Sequence, residues 1–134
     1  MKHLEVTAAI LINNGEILCM QRNAGKYDYV SLKFEFPGGK VEAGESFERA
    51  LSRELQEEMD ITIQIEPDQF FMMISHEYPD FSITMHTFRC PVENRIFTRK
   101  EHISHVWLKP SELDTLDWAP ADYPIVKRLM EELR

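Results

Sequence analysis

The sequence predicts an α/β sandwich, because apolar strand segments run the length of the chain and are interrupted by two amphipathic helices. Three observations carry that reading. Residues 4–12 are almost continuously apolar, as in a strand covered on both faces. Residues 47–59 place Phe47, Leu51, Leu55 and Met59 at helical spacing behind Ser46, a good N-cap. A last helix over 122–132 turns Ile125, Leu129 and Met130 inward.

The remaining elements follow in order. Asn13-Asn14-Gly15 is a hairpin turn, since Asn and Gly accept positive φ at little cost. Residues 17–20 form the returning strand and deliver Arg22 at its end. A long loop through Gly25 and Tyr29 leads to a short strand at 32–36, closed by Pro37-Gly38-Gly39. Strands at 70–76 and 82–90 flank a turn at Tyr78-Pro79-Asp80, and a short strand at 106–108 precedes Pro110. No repeat, low-complexity tract or linker divides the chain, so residues 1–134 are expected to form a single domain.

Composition narrows the function. Hydrophobic residues at 43% furnish a core, and charged residues at 28% fit a globular protein. No apolar run approaches the roughly 20 residues that cross a bilayer, and Glu5 and Thr7 interrupt any leader-like stretch, so a cytoplasmic protein without membrane partners is expected. Cys19 and Cys90 lack metal-like spacing and read as two buried free thiols. The net charge of −8 disfavours a nucleic acid polymer as partner. It allows a phosphate-bearing small molecule if a cation binds first. A monomer or weak homodimer is expected.

The helix at 47–59 carries an anomaly. At about 100° per residue, Glu58 and Glu54 fall within or beside the apolar stripe and Glu57 flanks it, whereas Arg49, Arg53 and Gln56 take the opposite side. Carboxylates turned toward the protein body are costly unless paired or metal-bound, and at i, i+3 and i+4 they repel one another. A divalent cation removes both penalties, and hard oxygen ligands suit magnesium, with manganese as a substitute. The same spacing also fits a helix end whose glutamates simply reach water.

The surrounding residues resemble the Nudix family box, G-x5-E-x7-R-E-U-x-E-E-x-G-U, with U aliphatic. Gly39, Glu45, Arg53-Glu54-Leu55, Glu57-Glu58 and Ile61 stand at its fixed positions. One position departs: Asp60 replaces the final glycine, which suits the left-handed conformation past a helix end. Asp reaches that conformation at modest cost, so the site should be preserved. The resemblance implies a Nudix-type α/β/α sandwich with a mixed β-sheet. It further implies magnesium on Glu54, Glu57, Glu58 and the carbonyl of Gly38, with Arg53 and Glu45 orienting the glutamates.

Glu101 is the candidate general base beyond the helix, against the alternative of a plain surface glutamate. Arg22 sits where MutT-like members hold substrate phosphates, against a solvent-facing arginine. The runs at 35–40, beginning with Glu35, and at 118–124 are also MutT-like, and the second resembles bacterial CTP pyrophosphohydrolases. By that likeness Asp122 contacts the base, a role compatible with helix N-capping. As a carboxylate it only accepts, favouring N–H-rich edges such as cytosine N4 or guanine N1/N2. Trp118 either stacks on the base or sits in the core. The five histidines show no paired metal spacing and read as structural or exposed. The implied reaction converts a nucleoside triphosphate, of (d)CTP type or an oxidised purine such as 8-oxo-dGTP, to monophosphate and pyrophosphate. Other diphosphate substrates, such as ADP-ribose or dinucleoside polyphosphates, and a silent nucleotide-binding module are the rivals.

Overall fold

The computed structural model describes residues 1–132. Its strands are β1 (Lys2–Asn13), β2 (Glu16–Arg22), β3 (Phe34–Glu35), β4 (Gly38–Lys40), β5 (Phe70–Glu77), β6 (Phe81–Pro91) and β7 (His102–Leu108). Helix α1 (Phe47–Met59) follows β4, and α2 (Tyr123–Glu132) closes the described chain. Two short 3-10 segments, Pro67–Gln69 and Pro110–Thr115, complete the elements.

The sheet is mixed, as expected. β1 runs parallel to β6 over its whole length, and the other pairings are antiparallel. β1 and β2 leave the Asn14-Gly15 turn, both turn residues at positive φ, but pair only at Ile12–Ile17 and Asn13–Glu16. Beyond that point they splay. The segment 34–40 fills the gap: β3 pairs with β2, β4 pairs with β1, and Pro37 O accepts from Ala9 N at 2.7 Å. This wedge sets the glycines beside α1.

The apolar run of β1 is explained by burial on both faces. Ala8 and Ile10 face one cluster with Ile125, Val126 and Leu129 of α2, whereas Ala9 and Leu11 face another with Leu51, Leu55 and Met59 of α1. Burying each of those large α1 side chains contributes about 1.5–3 kcal/mol. Ser46 caps α1 through its Oγ, which accepts from Arg49 N. Asp60 ends it in the left-handed region at φ 56° and ψ 33°. Cys19 and Cys90 are buried free thiols, and burial pushes both up to about 12.

Three expectations need correction. The strand expected at 32–36 contracts to Phe34–Glu35, because Leu32 has φ 61°, which breaks an extended run. The strand expected at 106–108 begins at His102, its polar first half stabilised by pairing with β2. Helix α2 starts at Tyr123, with Asp122 one residue outside it. None of the described helices is long and apolar enough to cross a membrane.

Candidate active site

The wedge and α1 meet at close quarters. A Cβ on Gly39 would collide with the Glu54 carboxylate, and one on Gly38 would collide with the Thr7 carbonyl. Glycine at 38 lets β4 lie close against β1, and at 39 it leaves the Glu54 carboxylate its place against the β4 backbone. Glu54, Glu57 and Glu58 there offer carboxylate oxygens that all lie within 4.8 Å of one another. Three hard oxygen donors converging in this way fit a magnesium-type cation.

Arg53 organises the cluster, and here the helical-wheel placement needs revision. Its Cα lies on the outer side of α1, but the guanidinium wraps back over the glutamates. Nε and Nη2 donate to Glu45 at 2.7 and 3.0 Å, and Nη1 donates to Glu54 at 3.0 Å and Glu57 at 3.2 Å. Nη2 also donates to Lys40 O at 3.0 Å, tying α1 to β4. The bidentate Glu45 pair holds the Glu45 carboxyl down at about 2.

Glu54 and Glu58 respond in the opposite sense. Burial pushes the Glu54 carboxyl above its ordinary range despite Arg53. Burial does the same to Glu58, assisted by the negative charges of Glu101 and Glu54. Carboxylates held up in this way gain most from a cation.

Glu54, Glu58, Glu101, Gly38, Arg22 and Glu35 line a cleft of about 450 Å³. A second cleft of about 440 Å³ shares Arg22, Glu35 and Gly38 with it and extends to Tyr27, Tyr78, Phe81 and Asp122. The two form one groove with an acidic end and an aromatic end. Arg22 and Glu35 stand between them: Arg22 Nη1 donates to Glu35 at 2.9 Å, and His102 Nε2 lies 2.8 Å from the other Glu35 oxygen. A bulge between Gln21 and Arg22 puts Arg22 opposite His102.

Asp122 is buried at the aromatic end, where its Oδ2 accepts from Phe36 N at 3.0 Å. Asp122 immediately precedes α2, and its backbone carbonyl accepts from Ile125 N and Val126 N at the start of the helix. Burial, then the neighbouring Glu35 charge, holds its carboxyl well above the usual range. Were it protonated, Asp122 would offer a donor as well as an acceptor.

Trp118 lies in the core. It is 6% exposed, donates from Nε1 to Leu113 O at 2.7 Å and stacks on Phe36 at 4.7 Å between centroids, so its place fits the core alternative. The groove wall is instead built by Tyr27, Tyr78 and Phe81, with Tyr29 stacked on Tyr78 at 4.9 Å. His102 and Tyr78 were not singled out from sequence. The one available signal was that His102 directly follows Glu101; its partner Glu35 is 67 residues away.

Comparison with known proteins gives concordant results. The NUDIX domain family model matches residues 1–129. The chain is 37% identical over 130 residues to the CTP pyrophosphohydrolase of Escherichia coli (strain K12), covering 97% of this chain and 93% of that one. It is 36% identical over 132 residues to the 8-oxo-dGTP diphosphatase of the same strain, covering 96% and 98%. Among solved structures, the E. coli ORF135 protein matches with a TM-score of 0.82 at 35% identity, covering 98% of this chain and 91% of that one. MutT from methicillin-resistant Staphylococcus aureus 252 matches with a TM-score of 0.76 at 38% identity, covering 98% and 99%.

Proposed function

The chain belongs to the Nudix hydrolase family, and from that premise we propose that it is a magnesium-dependent nucleoside triphosphate pyrophosphohydrolase. It converts a (d)CTP-type or oxidised purine nucleotide, such as 8-oxo-dGTP, and water to the monophosphate and pyrophosphate. The observation that carries this reading is a groove with Glu54 and Glu58 at one end, Glu57 within 4.8 Å of both, and Asp122 at the other end. That arrangement suits a substrate with a phosphate chain at one end and a base at the other.

Nudix hydrolases generally use a divalent metal ion, and Glu54, Glu57, Glu58 and the Gly38 carbonyl are the residues that would hold it here. Bound there, magnesium, or manganese in its place, supplies charge neutralisation for the phosphate oxygens and acidifies water. Arg53 keeps the glutamate oxygens aligned through the contacts described above. Arg22, steered by Glu35, lies along the groove where phosphates would pass, and its fork suits phosphate oxygens. The Glu101 carboxylate accepts the proton of the water that adds to phosphorus, and pyrophosphate leaves. Such a reaction is mostly positioning and electrostatics, so no serine or cysteine nucleophile is required.

At the base end, Asp122 and Glu35 meet the base edge between the aromatic walls. A charged Asp122 favours N–H-rich edges such as cytosine N4 or guanine N1/N2, and a protonated one would add a donor. Cytosine and 8-oxoguanine edges both remain suitable. The names of the two E. coli relatives span the same pair of base classes. The protein is proposed to work in the cytoplasm, as a single domain over residues 1–134 and a monomer or weak homodimer, with no nucleic acid polymer as partner.

The test is a magnesium-supplemented panel of CTP, 5-substituted dCTP, dGTP, 8-oxo-dGTP and ADP-ribose. Pyrophosphate, not orthophosphate, should be released from one or more triphosphates. No reaction across the triphosphates together with turnover of ADP-ribose would overturn the assignment.

A further inference from the structure

We infer that Lys100 is a positioning residue: by latching the segment before β7 onto the end of α1 through Asp60, it holds the Glu101 carboxylate in the cleft beside Glu58. The inference rests on the role proposed above for Glu101. It arises from the one place where the chain departs from the family box.

The segment between β6 and β7, residues 92–101, has no regular secondary structure to fix its path. Glu101 nevertheless lines the cleft with Glu54 and Glu58. Glu101 is exposed and stands next to the like charge of Glu58, so on an irregular segment the local restraints set where its carboxylate lies. Restraints exist on both sides of it. Thr98 N donates to Met59 O at 3.0 Å, and Lys100 Nζ donates to Glu57 O at 3.1 Å and to Asp60 Oδ1 at 2.9 Å. Across the cleft, Asn23 Nδ2 donates to Glu101 O at 2.7 Å. The next residue, His102, opens β7 and is bonded to Glu35.

Lys100 is well suited to its end of this clamp. The last carbonyls of a helix lack intrahelical donors and carry the negative end of its dipole, which an ammonium satisfies. Asp60, left-handed at the cap, adds a full charge that glycine at that position cannot provide. The ion pair is exposed, 41% at Lys100 and 47% at Asp60, so it contributes little to global stability. Placement of one carboxylate is a different matter, because rates respond steeply to small displacements.

The test uses the full chain with magnesium and whichever triphosphate the panel selects. K100M should lower kcat roughly tenfold with KM within about twofold of wild type, and K100R should recover most of the loss. In an E101Q background, K100M should cost nothing further, since the residue it positions is already disabled. Amide exchange at Thr98, whose N–H is bonded to Met59 O, should quicken in K100M while the melting temperature stays put. A neutral K100M, or a K100M penalty as large in E101Q as in wild type, overturns the inference, as does unchanged exchange. If the wild type turns over none of the triphosphates, the function reading fails, and the exchange measurement alone then decides the latch.

Discussion

The two ends of the groove solve the same problem differently. Both bring carboxylates toward the protein interior. At the α1 end, Glu45, Glu54 and Glu57 share a single guanidinium, and an open cleft adjoins them. At the other end, Asp122 is 5% exposed, accepts from the Phe36 backbone N–H and sits near another negative charge, Glu35. The first arrangement keeps carboxylates ready to ionise fully around a cation. The second disfavours the charged form of Asp122. One end networks its charge and the other suppresses it.

The largest expected effect breaks the first end. Glu57→Gln removes one anionic ligand without changing shape, so kcat should fall on the order of 10²–10³-fold, comparable to losing a principal electrostatic stabiliser. Far-UV dichroism and melting should stay near wild type because Glu57 is half-exposed. Survival of activity would mean that α1 is not the metal site.

Next comes Arg53→Lys, which keeps the charge but cannot reproduce the fork. It abandons the bidentate hold on Glu45 and at least part of the bonding to Glu54, Glu57 and Lys40 O. Loss of such charge-assisted bonds should cost about 2–3 kcal/mol of stability in urea titration, together with a lower kcat. Stability equal to wild type would show that Arg53 does not hold α1 to β4.

The contrast between the carboxylates also predicts how stability follows pH. Glu54, Glu58 and Asp122 are held above their ordinary range, so the folded state binds their protons more tightly than the unfolded chain. The metal-free protein should therefore become more stable as pH falls from neutral into their raised range. Glu45 acts oppositely. Its carboxyl is held down at about 2 by Arg53, so the stability it contributes above the ordinary carboxylate range is lost as pH falls through about 2. Saturating magnesium should reverse the first trend, because the cation requires ionised glutamates. Parallel melting curves with and without magnesium, across pH, would refute the cation site.

Asp122→Asn sharpens the comparison at the other end. The amide always carries a donor and an acceptor, whereas Asp122 does so only while protonated. The ratio of kcat/KM for CTP to that for 8-oxo-dGTP should shift about tenfold, with the magnesium dependence unchanged. An unaltered ranking would remove Asp122 from base reading.

The same contrast explains what was legible in the sequence. The α1 end is local: Glu54, Glu57 and Glu58 are fixed by helical spacing, so the pattern itself exposes them. Even there, a wheel places Cα atoms and not guanidinium tips, which is why Arg53 read as outward although its side chain wraps back over the cluster. The base end joins Arg22, Glu35, Tyr78 and Asp122, and only the splayed hairpin and the β2–β7 register bring them together. Single-residue backbone states, such as the positive φ of Leu32, likewise leave no periodic trace.

The smallest effect concerns Asp60→Gly, which restores the residue of the family box at the end of α1. A left-handed non-glycine residue costs on the order of 1 kcal/mol, and glycine removes that cost. The same change deletes the exposed pair with Lys100, which holds the Asp60 carboxyl below its ordinary range and contributes only modestly. The two terms oppose and nearly cancel, so the net change should lie within about 0.5 kcal/mol by urea titration. Salt separates them: 0.5 M sodium chloride should weaken the wild-type pair and leave the glycine variant the more stable of the two. A wild type that stays ahead at high salt would mean that Asp60 holds the helix end by something other than its charge.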